Sequence, residues 1–188
     1  MAALRVDPIS GWCAGARQTP SPNHDRRPPA TAVDLLVIHG ISLPAGHYGG
    51  PHIEALFLNR LAADADPSFA SLAGLRVSAH FLIRRDGELL QFVATVERAW
   101  HAGVSVFAGR AACNDFSIGI ELEGCDDEPY ADAQYLRLVA LTRALQAIYP
   151  GITTARIVGH SDIAPGRKTD PGPHFDWTRY RLALARPD

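Results

Sequence analysis

Val33-Asp34-Leu35-Leu36-Val37-Ile38-His39 is the stretch from which the fold is read. A short apolar run rich in branched side chains, bounded by loop on both sides, suits a strand buried on both faces. It is expected to end at His39-Gly40, because residues 41–51 carry two prolines and three glycines and read as loop. Upstream, residues 17–31 are rich in proline and polar side chains and are expected to form an irregular arm over the domain. Downstream, His52 to Leu61 has apolar residues at 53, 56, 57 and 61, the spacing of a short amphipathic helix.

Ala79-His80-Phe81-Leu82-Ile83 and Leu89-Leu90-Gln91-Phe92-Val93 flank Asp86-Gly87, a strong hairpin signal. Ser117 to Glu123 alternates and reads as another strand. The clearest helix runs from Asp132 to Tyr149, with Leu138, Val139, Leu141, Leu145 and Ile148 on its buried face, Asp132 as its cap, and Pro150-Gly151 as its stop. Arg156 to Gly159 is a short strand leading to His160, and Asp176 starts a last helix carrying Trp177, Tyr180 and Leu184. Strands interleaved with helices, and a hairpin in the middle, predict an α/β protein with a mixed sheet. The 188 residues are expected to form a single domain, 1–188.

Net charge is −2, which argues against a nucleic-acid partner or an anionic membrane surface. The first 15 residues hold no basic segment followed by an apolar stretch, and no apolar run is long enough to span a bilayer. Cys13, Cys113 and Cys125 are odd in number and show no Cys-x-x-Cys spacing, which suits a reduced, cytoplasmic protein. A monomer is expected.

The candidate chemistry gathers at strand ends. Among 18 Lys and Arg side chains only Lys168 is a lysine, and it lies in the run Gly159-His160 … Lys168-Thr169-Asp170-Pro171-Gly172-Pro173. His39, Glu121 and His160 all sit beside apolar strands, where open α/β sheets bind ligands. His39, His160 and Asp170 would give a two-histidine, one-carboxylate set with a fourth position open on a tetrahedral zinc. The same set suits other metals, and a single histidine is more often structural. A carboxylate inside an apolar strand is costly unless paired or functional. Glu121 would then be a general base, with Glu123, two residues on, as its competitor on the same face. Lys168 is placed to stabilise an oxyanion.

Five blocks carry a resemblance. They are Ile38-His39, Ser78 to Ile83, Ala99-Trp100-His101-Ala102-Gly103, Asn114 to Gly124, and Gly159 to Gly172. Taken in order they resemble the zinc N-acetylmuramoyl-L-alanine amidases, above all the 1,6-anhydro-N-acetylmuramyl-L-alanine amidases (AmpD type) of cell-wall recycling. The resemblance runs from about Gly11 to Tyr180. It implies a mixed central β-sheet flanked by helices, with zinc in a surface cleft. It implies His39, His160 and Asp170 as zinc ligands, Glu121 rather than Glu123 as the catalytic glutamate, and Lys168 as the transition-state lysine. The implied reaction hydrolyses the amide between the lactyl group of 1,6-anhydro-N-acetylmuramic acid and L-alanine of the stem peptide. Two positions depart from the family pattern: Gly40, where asparagine is frequent, and Ala112, where arginine is common.

Substrate contacts are expected from Trp100 and His101 at a sugar subsite, from Arg76 toward stem-peptide carboxylates, and from Tyr48 as a cover over the site. Arg84 and Arg110 are further carboxylate candidates, and His80 is expected to make a structural hydrogen bond. The competing functions are a muropeptide-binding module without activity and an amidase acting on intact wall. Retention of all three ligands with Glu121 and Lys168 argues against the first, and the absent export signal against the second.

Overall fold

The computed structural model describes residues 4–186; the ends of the expected 1–188 domain lie outside the described residues. The strands are β1 (Arg5–Val6), β2 (Cys13–Ala14), β3 (Arg17–Gln18), β4 (His24–Arg26), β5 (Leu35–Ile41), β6 (Phe81–Ile83), β7 (Leu89–Gln91), β8 (Glu97–Ala99), β9 (Val106–Phe107), β10 (Arg110–Ala111), β11 (Ser117–Glu123) and β12 (Ile157–Gly159). The α-helices are α1 (His52–Phe57), α2 (Asp132–Ile148), α3 (His160–Ile163) and α4 (Trp177–Ala185). Six strands form the central sheet in the order β12-β5-β11-β6-β7-β3. The β12, β5, β11 and β6 pairings are parallel and β6–β7 is antiparallel, so the sheet is mixed, as expected.

The apolar runs form the central strands because burial on both faces is available only there. Leu35 to Ile38 are fully buried, and so are all seven residues of β11. Alternation in β11 therefore does not mark a solvent face. Even positions of β5 (Leu36, Ile38) join Ile118, Ile120, Leu122 and the buried side of α2 in the larger core. Odd positions (Leu35, Val37) pack with Ala102, Cys113, Phe116 and Ile163 on the opposite face. On that same face, α1 lays Ile53, Leu56 and Phe57 over Leu82 and Leu90. These two apolar clusters leave a gap over the middle strands.

The hairpin forms where Asp86-Gly87 placed it, with Ile83 opposite Leu89 and Gly87 at φ +86. Asp176 caps α4 by accepting from the Arg179 N–H at 2.8 Å. Four expectations are corrected. The first strand runs on to Ile41, so His39 lies inside it. Helix α1 stops at Phe57 rather than Leu61, because the chain turns at Asn59 with φ +57. Asp132 does not cap α2; Ala131 is the N-cap, and its N–H donates to Gln134 Oε1 at 3.0 Å.

The fourth correction concerns residues 17–31, which are more than an irregular cover. β3 adds to the sheet edge beside β7, and β4 pairs with β8. Arg27 buries its guanidinium and donates to the carbonyls of Thr95, Asn114, Asp115 and Ser117 at 2.9–3.2 Å. Burial pulls its pKa down to about 10. Composition does not reveal this, because the partners of Arg27 are mostly backbone carbonyls far along the chain. No described helix is long and apolar enough to cross a membrane.

Candidate active site and metal centre

Parallel register sets Glu121 beside His39, so both side chains leave the sheet on the face where the gap lies. β12 follows β5 on the other side and delivers His160 as the first residue of α3. The turn after α3 brings Asp170 back, its carbonyl accepting from the Ser161 N–H at 3.0 Å. Residues 39, 160 and 170 thus meet in a cleft of about 230 Å³ that Glu121, Lys168 and His101 also line. Its opposite wall is apolar and includes Ile41, Leu43, Leu56 and Phe57.

His39 Nδ1, His160 Nδ1 and Asp170 Oδ2 form a triangle with sides of 3.0, 3.2 and 3.1 Å. The other nitrogen of His160 faces the Ala102 carbonyl at 3.1 Å. A carbonyl only accepts, so Nε2 carries the proton and the Nδ1 of the neutral ring offers a lone pair to the triangle. Three donor atoms held this close suit a cation shared between them. A tetrahedral ion with bonds of about 2.0–2.1 Å has ligand–ligand edges of about 3.3 Å, and the triangle has nearly that size. Nitrogen and carboxylate donors are those zinc takes. The residues present fit the ion.

Glu121 and Glu123 part company here. Glu123 Oε1 accepts from Arg84 at 3.0 Å and from the Gly49 N–H at 2.8 Å, and Oε2 accepts from the Arg85 N–H at 3.2 Å. Glu121 is also buried, yet its Oε2 has no hydrogen-bond partner. Burial pushes the Glu121 carboxyl well above its ordinary range; the Asp170 charge adds to this and Lys168 opposes it. An unpartnered carboxyl with raised pKa at a cleft is the usual state of a group held ready for proton transfer.

The other expected residues are spread more widely. His101 is in the cleft lining, but its ring nitrogens face His39 and Ser117 at 2.9 and 3.1 Å. Trp100 is half-buried and lies outside the residues lining the cleft. Arg76 is exposed and borders a neighbouring depression that shares Leu56, Leu72 and Leu75 with the cleft. The Tyr48 hydroxyl meets Cys125 Sγ at 3.2 Å, with Arg85 stacked 4.7 Å from its ring. Arg84 is committed to Glu54, Glu88 and Glu123, and Arg110 to Asp34 at the far end of β5. His80 is structural: Nδ1 accepts from the Gly119 N–H at 3.0 Å and Nε2 donates to Glu97 O at 3.1 Å. Gly40, one of the two departures from the family pattern, sits where a Cβ would come within 2.3 Å of the Tyr130 hydroxyl.

Three buried imidazoles set a pH dependence. Burial lowers His39 to about 4, and lowers His80 and His101 well below their ordinary value. The unfolded chain, with imidazoles near 6.5, binds more protons than the folded chain below that value. The stability these histidines contribute is therefore complete above about pH 6.5 and is lost as pH falls toward 4. Between pH 7 and about pH 5 the histidines alone are expected to cost the metal-free protein roughly 2 kcal/mol each, and Glu121, whose raised pKa lets the folded chain take up a proton before the unfolded one does, offsets part of that loss. Urea midpoints across that range check this, and a flat profile would mean that these rings are already charged when folded.

The profile of the N-acetylmuramoyl-L-alanine amidase family matches residues 29–173. The 1,6-anhydro-N-acetylmuramyl-L-alanine amidase AmpD of Escherichia coli K12 is 58% identical over 176 residues, covering 94% of this chain and 96% of that protein. A crystal structure of a selenomethionine AmpD derivative superposes with a TM-score of 0.91 at 57% identity, covering 93% of this chain and 97% of that one. The amidase AmiD of E. coli, solved with the substrate anhydro-N-acetylmuramic acid-L-Ala-D-gamma-Glu-L-Lys, gives a TM-score of 0.59 at 30% identity, covering 100% of this chain and 69% of that one. A shared fold alone would leave the chemistry open, but here the family match spans residues 29–173, which include the donor triangle and Glu121, and 58% identity extends over 94% of the chain, so this chain belongs to the N-acetylmuramoyl-L-alanine amidase family.

Proposed function

We propose that the chain hydrolyses the amide between the lactyl group of 1,6-anhydro-N-acetylmuramic acid and the L-alanine of the stem peptide. It would do so as a zinc-dependent, monomeric, cytoplasmic enzyme of cell-wall recycling, with an anhydro-muropeptide as substrate. The observation that carries the reading is the donor triangle of His39, His160 and Asp170 beside the unpartnered Oε2 of Glu121. The names of the relatives supply the substrate class.

His39, His160 and Asp170 would hold the zinc. Bound there, zinc supplies Lewis acidity and brings the pKa of water in the site to about 7. Glu121 takes a proton from the attacking water and returns it to the alanine nitrogen as the C–N bond breaks. The apolar wall of the cleft keeps other water away from that exchange. The Lys168 ammonium faces the carbonyl oxygen and stabilises the charge that develops on it. Lys168 is exposed at the cleft and carries a compact charge on a flexible stem.

The test compares rates on an anhydro-muropeptide and on insoluble peptidoglycan, with and without a chelator. Free stem peptide is expected from the soluble substrate, at a far higher rate than from the wall, and its release is expected to stop on chelation. Equal rates on both substrates, or release that survives chelation, would overturn the reading.

A further inference from the structure

We infer that the dipeptide His101-Ala102 sets the orientation of both ligand imidazoles, so that His101 is a positioning residue rather than a substrate contact. This rests on the zinc reading above. His39 Nε2 lies 2.9 Å from His101 Nδ1, and His101 Nε2 lies 3.1 Å from Ser117 Oγ. For His39 Nδ1 to present a lone pair, Nε2 must carry the proton and donate it to His101 Nδ1. His101 then carries its own proton on Nε2 and donates it to Ser117. The opposite polarity would leave a proton on His39 Nδ1, aimed into the donor triangle. The adjacent residue does the same for the other ligand: the Ala102 carbonyl accepts from His160 Nε2 at 3.1 Å.

The dipeptide is itself fixed. Asn114 Oδ1 accepts from the N–H groups of His101 and Ala102 at 3.2 and 2.8 Å, and Arg167 donates to the Ala102 carbonyl at 2.6 Å. Room for the His101 ring comes from Gly119 in the middle of β11. A Cβ there would meet the ring Cγ at 2.5 Å and Nδ1 at 2.6 Å. A glycine inside a buried strand weakens the strand unless something must approach closely, and here it is the imidazole. Both nitrogens of His101 are occupied by protein, which leaves neither for a sugar or a peptide.

The test measures zinc affinity of the full chain by competition with a chromogenic chelator, in wild type, His101→Leu and His101→Asn. His101→Leu removes the acceptor and is expected to raise the zinc dissociation constant by about 10–100-fold. His101→Asn puts an amide oxygen near the place of Nδ1 and is expected to stay within about threefold of wild type. Zinc-free melting temperatures should fall alike in both, since both lose ring packing over Gly119. A purely structural role would move both dissociation constants together, and that result overturns the inference. So does a His101→Leu protein with wild-type zinc affinity and a raised KM, which would make His101 a substrate contact. A wild-type chain that binds no zinc sinks the metal reading and this one with it; tight wild-type binding that His101→Leu leaves unchanged sinks this one alone.

Discussion

Glu121→Ala is expected to keep its zinc and lose about 10²–10⁴-fold in kcat, the usual share of a positioned general base. Stability should move the other way. Glu121 is buried among apolar strand residues and its Oε2 makes no hydrogen bond. Removing a desolvated, unpartnered carboxyl relieves a cost rather than breaking a contact. The variant should therefore melt no lower than wild type. Glu123→Ala supplies the contrast, because that carboxylate is bonded to Arg84 and to two backbone N–H groups. Losing it should lower stability. The pair is read by zinc analysis, thermal melts and turnover of an anhydro-muropeptide. Near wild-type kcat in Glu121→Ala would remove Glu121 from the mechanism.

Asp170→Ala is expected to cost more in metal than any change outside the donor triangle. Outer-shell partners of a metal typically give 10–100-fold in affinity, and loss of a ligand should exceed roughly 10²-fold. Two neutral imidazoles would then face an ion without the carboxylate that offsets its charge. Zinc content after dialysis should fall to a small fraction of the protein, and amide hydrolysis with it. Asp170→Asn keeps the shape but not the charge, and should fall between. Elemental analysis that finds one zinc per chain in Asp170→Ala would reassign the ligand set.

The two variants separate two roles that the sequence placed in one cleft. One should lose chemistry with metal retained, and the other metal first and chemistry as a consequence. Cleavage by a chain carrying both changes would point to a second site.

Local features of the chain were legible wherever a short-range rule governs them. The apolar run at 35–38 and the alternating stretch at 117–123 became buried strands, Asp86-Gly87 turned the hairpin, and Asp176 capped the last helix. Each follows from a period, a φ preference or a cap within four residues. The same rules missed the end of α1 and the cap of α2, where Asn59 and Gln134 decide through their own backbone angle and side-chain reach. They also missed the order in residues 17–31, where Arg27 alone reaches partners 53–90 residues away.

The donor residues could be named from sequence because their motifs are specific to the family. Their convergence could not, since His39 and Asp170 are 131 positions apart. Choosing Glu121 over Glu123 from the residues alone was equally out of reach: both are carboxylates on one face, and only packing shows one satisfied by Arg84 and the other left bare. His101 left a trace in the chain, the glycine at 119 in the middle of a buried strand, but that trace has meaning only once the ring is seen lying over it. Sequence determined which chemical groups this protein carries and the strands that bear them. Tertiary structure decided which way their lone pairs point, because that direction is fixed by hydrogen bonds between residues that only parallel register and close packing bring together.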